Sequence, residues 1–319
     1  VRLVGSPLDD QVIDRLREDN YHVNLLRTLH DGIHYYKESE KEEAIQGADL
    51  IVCGVSSFGV DWFADKILPI LDESVPVISV TKGMLDYEDG TMQTYPEYWM
   101  SKLPEGSKQE IYAIGGPCTA RDLADHDPSF VGYCGPKMKT LHWIRSLFAT
   151  DYYVISLTLD VVGLECAVAL KNGYALGTAL AIGMAEKAGD DGINHNNSEA
   201  ALFQESVKEM LDLLKIVGGG VDNIMYAAGD LNVTVAAGRS RTVGLLLGKG
   251  LSIDEVMEQL KGQTLEAVVI ATRTARAVKA LAKAGKVKES DFPLLMHVNA
   301  LLNEGATLNI PWTDFQKEM

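Results

Sequence analysis

The run Val161-Val-Gly-Leu-Glu-Cys-Ala-Val-Ala-Leu-Lys-Asn-Gly-Tyr-Ala-Leu-Gly-Thr-Ala-Leu-Ala-Ile-Gly-Met184 is almost wholly apolar or small, and Lys171 and Asn172 interrupt it midway. A stretch that is apolar all round belongs inside a packed helical domain, and its glycine and alanine content points to close helix packing rather than to lipid. Apolar residues recur with helical period through Val161–Ala188, and downstream through Glu199–Val217, Ile253–Leu260 and Gln263–Ala284, so the second half is predicted to be helical. Gly218-Gly219-Gly220, Gly248-Lys249-Gly250 and Pro293 punctuate it. Upstream, short apolar runs alternate with helical stretches: Val1–Val4, Leu50–Val55, Val75–Val80, Ile111–Ile114, Phe130–Tyr133 and Tyr152–Leu157. That is the cadence of a parallel α/β sheet. The boundary is placed between Leu157 and Val161, giving a sheet domain over 1–158 and an all-α domain over 159–319.

Within the sheet half, Asp49-Leu-Ile-Val-Cys-Gly-Val55 leads through Ser56-Ser57-Phe58 into an amphipathic stretch ending at Leu71, which reads as strand, turn and covering helix. Ligands of such sheets gather at the carboxyl ends of the strands. A dinucleotide-binding sheet opens with a strand, a GxGxxG turn and a helix whose N-terminus receives the pyrophosphate. Nothing of that kind occurs here. The chain opens on Val1-Arg-Leu-Val-Gly-Ser6, which reads as the second strand of such a unit, so the expectation is a Rossmann-like sheet given without its first strand and glycine loop.

Composition narrows the function. The 319 residues carry a formal net charge of -16, which repels polyphosphate backbones and argues against nucleic-acid binding. No apolar run reaches the roughly eighteen residues of a membrane span. The four cysteines Cys53, Cys118, Cys134 and Cys166 show no CxxC or zinc-like spacing, and no export signal precedes them, so a reducing, cytoplasmic setting is expected. Asn232-Val233-Thr234 is then a chance sequon. Positive charge is concentrated between Asp230 and Asp254, where Arg239, Arg241 and Lys249 occur without an acid. This is either a solvated helix face or a site for a small anion.

Three polar groups stand where apolar ones would be expected. A buried Lys171 must be paired, and burial lowers its pKa towards the range useful for exchanging a proton with a carbonyl or hydroxyl. The alternative is a lysine that snorkels from a helix edge. Val77-Ile-Ser-Val-Thr-Lys-Gly83 ends a β-rich run abruptly in Lys82, and so projects an ammonium from the sheet's carboxyl edge. Gly229-Asp230-Leu231 with Thr234, followed by Gly238-Arg239-Ser240-Arg241, offers a carboxylate to partner a lysine and a guanidinium to clamp a phosphate.

From Val1 to about Ala284 the sequence resembles the nicotinamide-dependent glycerol-3-phosphate dehydrogenases. Its anchors are Val80-Thr-Lys-Gly83, Gly116-Pro117, Gly163-Leu-Glu-Cys-Ala-Val-Ala-Leu-Lys-Asn172, Gly229-Asp-Leu231, Gly238-Arg-Ser-Arg241 and Leu247-Gly-Lys-Gly250. The resemblance implies that Lys171 exchanges the proton at the substrate C2 oxygen, oriented by Asp230, and that Lys82 polarises that carbonyl and touches both ligands. It further implies Arg239 as the phosphate arginine, also near the cofactor, with Gly238 and Ser240 beside it. By the same resemblance, Asn172, Thr234, Gly116 and Cys118 would complete the substrate lining, Ser56, Phe58 and Ala120 would lie on the dinucleotide, and Glu266 near its nicotinamide end. The implied cofactor is NAD or NADP, the implied partner a small phosphorylated substrate, the implied assembly a homodimer, and no metal is required.

This chain departs from the family's Gly-Pro-Ser-Phe-Ala pattern at Cys118 and Thr119, and from its Arg-Asn pair at Ser240. Another phosphorylated polyol or keto sugar therefore stands as an alternative substrate, and a non-catalytic binding protein as an alternative class. Gly5-Ser6-Pro7 carries neither the acid nor the arginine that separates NAD from NADP, although Asp9 or Asp10 would disfavour a 2′-phosphate by turning inward. His22, His30, His34, His126, His142 and His297 show no metal-like spacing. His195 reads as part of a Gly192–Ser198 loop leading to a helix capped at Asn197 or Ser198.

Overall fold

The computed structural model describes residues 1–189, 193 and 195–316. The chain divides into two compact units. One comprises Val1–Thr81, Trp99–Ile114 and Cys118–Leu157, and the other Lys82–Tyr98, Gly115–Pro117 and the described part of Thr158–Met319.

The first unit is built on strands β1 (Arg2–Val4), β2 (His34–Tyr36), β3 (Ile51–Cys53), β4 (Val77–Ser79), β5 (Ile111–Gly115), β6 (Ser129–Cys134) and β7 (Tyr153–Thr158). The last five form one sheet in the order β7-β6-β5-β4-β3, with Ile51 opposite Val77 and Val77 opposite Ile111 in parallel register. Strands β1 and β2 form a separate parallel pair, Leu3 opposite Tyr35. Ile78, Tyr112, Val131, Tyr133, Leu141 and Ile144 fill one core of this unit. Every apolar run read from the sequence holds one of these strands, because β-branched and aromatic residues suit a pleated, half-buried surface.

One local expectation fails. The stretch ending at Leu71 is not a continuous covering helix but a succession of a 3-10 turn (Ser57–Gly59), an α turn (Val60–Trp62), a π turn (Phe63–Ile67) and a 3-10 turn (Leu68–Ile70). Pro69 has no N–H to continue an α ladder, and the π turn resets the phase so that Phe63, Ala64, Ile67 and Leu68 all face inward.

The described part of the second unit from residue 158 onward packs helices α1 (Val161–Ala188), α2 (Asn196–Val217), α3 (Ile224–Ala236), α4 (Arg239–Gly248), α5 (Ile253–Gln259), α6 (Glu266–Lys283) and α7 (Pro293–Asn303). Asp160 starts α1 by accepting from the Gly163 N–H at 2.8 Å, and its other oxygen accepts from the Gly220 N–H and Asn223 Nδ2, each at 2.7 Å. Helix α1 is the hub, buried almost throughout from Gly163 to Ala181 and packed by α2, α3, α4, α6 and α7. Glu209 on α2 fastens α7 by accepting from the Leu294 and Leu295 N–H groups, and receives the buried Tyr174 hydroxyl of α1.

Helices α1 and α4 meet backbone to backbone. A Cβ at Gly244 would lie 2.2 Å from the Leu176 carbonyl oxygen, and one at Gly248 would lie 2.3 Å from that of Leu180. Gly244→Val is therefore expected to prise the helices apart at a cost of about 1–3 kcal/mol or more, read as a lower thermal midpoint. It should also weaken any ligand held at the start of α4. A wild-type midpoint would contradict this packing.

The loop before α2 also differs from expectation. His195, in the left-handed region at φ 54°, is the N-cap residue, and Ser198 Oγ donates back to its carbonyl. Gly192 and Asn194 of that loop lie outside the described residues.

Candidate active site

Lys82, Lys171 and Asp230 converge within the helical unit. Helix α1 brings Lys171 into the interior, where its Nζ donates to Thr234 Oγ1 at 2.7 Å and lies 3.1 Å from Asp230 Oδ1. Helix α3 supplies both partners, since Asp230 and Thr234 are one turn apart, and Thr234 Oγ1 donates in turn to the Asp230 carbonyl at 2.6 Å. Lys82 reaches the same carboxylate, with Nζ 2.6 Å from Asp230 Oδ2 and donating to the Gly116 carbonyl at 3.2 Å. Asp230 is only 2% exposed. Burial pushes the Lys171 ammonium below the usual lysine range. Asp230 pulls it back up, Lys82 pushes it further down, and the Glu266 carboxylate adds a smaller upward pull.

Local geometry fixes Lys82. Gly83 has φ 151°, and a Cβ there would meet the Tyr95 ring at 2.5 Å, so only glycine lets the chain turn after the lysine. The hairpin that follows, Met84–Asp86 with Met92–Thr94, is braced on α6: Arg273 Nη1 donates to the Met84 carbonyl at 2.8 Å and Arg276 Nη2 to Asp86 Oδ1 at 2.7 Å. Sequence reasoning passed over this brace because its partners are some 190 positions apart.

The other expected residues divide between the units. Asn172 is buried on α1 beside Lys171, and Glu266 opens α6. Gly238, at φ 106°, precedes α4, Arg239 is its exposed first residue and Ser240 is buried. No hydrogen bond or ion pair holds Arg239 among the described residues, whereas Lys249 lies 2.6 Å and Arg241 4.0 Å from Glu186. The cation island is thus narrower than its sequence suggests, because two of its three charges face an acid on α1.

In the first unit, Ser56 occupies the N-cap position of the turn after β3 and Phe58 is 66% exposed there. Thr81 Oγ1 donates to the Val55 carbonyl at 2.7 Å and so ties the ends of β3 and β4 together, a contact that sequence reasoning missed. Ala120 begins a short helix, Ala120–Ala124, whose cap is Thr119, and Cys118 is half-buried just before it. Thr119 thus has a capping role, its hydroxyl donating to Asp122 Oδ2 at 2.6 Å. After β1, Asp9 Oδ2 accepts from the Ser6 N–H and Oγ, so this acid is committed to its own turn.

Among the described residues, no group of three or more His, Cys, Asp or Glu side chains could hold a metal ion, and no helix is long and apolar enough to cross a membrane. What the cluster offers is two ammoniums and a carboxylate, an arrangement suited to moving a proton at an oxygen.

Comparison with known proteins gives a consistent picture. Residues 5–139 match the NAD-dependent glycerol-3-phosphate dehydrogenase N-terminus, and residues 160–311 the C-terminus of the same family. A relative from Archaeoglobus fulgidus, NADP(+)-dependent glycerol-3-phosphate dehydrogenase, is 29% identical over 96% of this chain and 88% of its own length. The crystal structure of glycerol-3-phosphate dehydrogenase from Coxiella burnetii superposes with a TM-score of 0.78 over 99% of this chain and 90% of its own, at 22% identity. A ketopantoate reductase from Ralstonia eutropha shares the fold more loosely, with a TM-score of 0.55 over 95% of this chain and 91% of its own, at 17% identity.

Proposed function

Because the chain belongs to the NAD-dependent glycerol-3-phosphate dehydrogenase family, we propose that it transfers a hydride between NAD(P)H and dihydroxyacetone phosphate, giving glycerol 3-phosphate, and the reverse. The observation that carries this reading is the convergence of Lys82 and Lys171 on buried Asp230. An ammonium has three donors. Lys82 uses two, on Asp230 and Gly116, and Lys171 uses two, on Thr234 and Asp230, so each keeps one N–H for a substrate oxygen.

The nicotinamide, when bound, supplies or accepts the hydride at C2. The protein's part is the proton and the charge. In reduction Lys171 gives its proton to the C2 oxygen, and in oxidation the neutral amine takes it back, a task that its lowered pKa favours. Lys82 polarises the same oxygen and stabilises the negative charge that develops there. Asp230 holds the two ammoniums in register and offsets their repulsion.

The phosphate belongs at the start of α4, where first-turn N–H groups have no intrahelical acceptor and Arg239 is unengaged. Gly238 and Ser240 supply backbone there, and Asn172, Thr234, Gly116 and Cys118 are assigned to the substrate lining. For NAD or NADP, the exposed Phe58 ring and Ser56 at the carboxyl end of β3 fit an adenosine, with Ala120 near it. Glu266, Lys82 and Arg239 are assigned to the dinucleotide's nicotinamide side. The dinucleotide is thus carried mainly by residues 1–158, and the substrate mainly by 159–319 with Lys82 and Gly116. The cysteine spacing, with no CxxC or zinc-like pattern, supports a cytoplasmic setting, and the resemblance supports a homodimer.

Glycerol 3-phosphate deuterated at C2 tests the reaction. The label should appear in the reduced dinucleotide, and label lost to water would contradict direct transfer. Arg239→Ala should raise KM for phosphorylated substrate by roughly ten- to a hundredfold, the worth of a charge-assisted hydrogen bond. An equal loss with an unphosphorylated polyol would contradict the clamp.

A further inference from the structure

Glu165 on α1 is fully buried, and among the described residues neither of its carboxyl oxygens meets a hydrogen-bond donor, unlike Glu209 one helix away with its two backbone N–H groups and Tyr174. An ionised carboxylate in that setting would be costly unless a cation stood close by. The cation whose field reaches it is Lys82. Asp230 on α3 binds Lys82, and the fields of Glu97 and Asp160, together with that of Glu165, reach the adjacent Cys166 thiol. Burial pushes the Glu165 carboxyl up to about 8, with Lys82 opposing, so its neutral form prevails below that pH.

We propose that Glu165 is a positioning residue acting through Lys82: its neutral carboxyl leaves the Lys82 charge free for the anionic substrate, and its ionisation withdraws that charge, so that binding of substrate takes up a proton. This rests on the dehydrogenase reading. The charge sum shows the direction. With Glu165 neutral, Lys82, Lys171 and Asp230 together carry one positive charge, and with Glu165 ionised they and it carry none. A bound anion therefore favours the protonated form, and its affinity falls as pH rises through the carboxyl's titration.

Infrared difference spectra of wild type against Glu165→Gln test this, because the C=O stretch of a protonated carboxyl reports Glu165 alone once the common Glu209 signal cancels. The band should be present near pH 7, be lost by about pH 9.5, and have a midpoint that rises when glycerol 3-phosphate is added. In steady state, KM for the phosphorylated substrate should rise by up to about tenfold over that interval in wild type, and much less in E165Q. A band that does not titrate, or a midpoint that glycerol 3-phosphate leaves unmoved, would overturn the proposal even in an active enzyme. A midpoint that moves in a protein unable to oxidise glycerol 3-phosphate would uphold Glu165 and sink the dehydrogenase reading instead. Should E165Q fail to fold, Glu165→Asp must still show the band with a displaced midpoint, and its absence there would equally overturn the proposal.

Discussion

Lys171→Ala is expected to lower kcat by roughly 10²- to 10⁴-fold, the usual worth of a positioned acid–base group, while leaving dinucleotide affinity near the wild-type value. The variant should remain folded. Asp230 keeps the closer of its two cations, Lys82 at 2.6 Å, so its own buried carboxylate stays paired. The pH profile supplies a second check. In the reducing direction Lys171 must start charged, so kcat should fall as pH rises through its lowered pKa, and that limb should vanish in the variant. A variant that loses dinucleotide binding together with turnover would place Lys171 in a structural role.

Asp230→Asn is expected to damage both stability and activity. It removes the carboxylate that pairs with both ammoniums, at a site where its own side chain is 3% exposed. Breaking such a buried pair costs about 3–5 kcal/mol, which a thermal or denaturant melt reads directly. Without that charge Lys171 loses the group that chiefly raises its lowered pKa, so a smaller fraction of the proton donor is charged at any given pH and kcat for reduction should fall by about 10²-fold or more. A variant of wild-type stability with only KM altered would show that the carboxylate does not organise the lysines.

How much of this was legible in the sequence depends on the range of the interaction concerned. Helix α1 was readable to its ends, Val161 and Ala188, because a run apolar on all sides has a single physical reading and Gly189 follows it at positive φ. Strand β1 and the five strands of the larger sheet were readable to within a residue or two for similar reasons, whereas β2, His34–Tyr36, was not read. Lys82, Lys171 and Asp230 were legible as chemistry because each interrupts an apolar pattern, and the structure joins them through 2.6 and 3.1 Å contacts.

Long-range compensation was not legible. Glu186 claims Lys249 and Arg241 from another helix, so the cation cluster shrinks to Arg239. The break between Val60 and Leu71 follows from Pro69, a local signal that amphipathic periodicity masked. Glu165 lies in the quoted run itself, six residues before Lys171, and a carboxylate inside an apolar helix was the signal that could have found it.

The most direct test of the central claim is oxidation of NADH or NADPH by dihydroxyacetone phosphate with the intact native protein, followed by loss of reduced-nicotinamide absorbance, with Lys171→Ala alongside. The account predicts turnover that depends on dihydroxyacetone phosphate, names the preferred dinucleotide and all but disappears in the variant. Bound dinucleotide with no turnover, or turnover undiminished without Lys171, would contradict it.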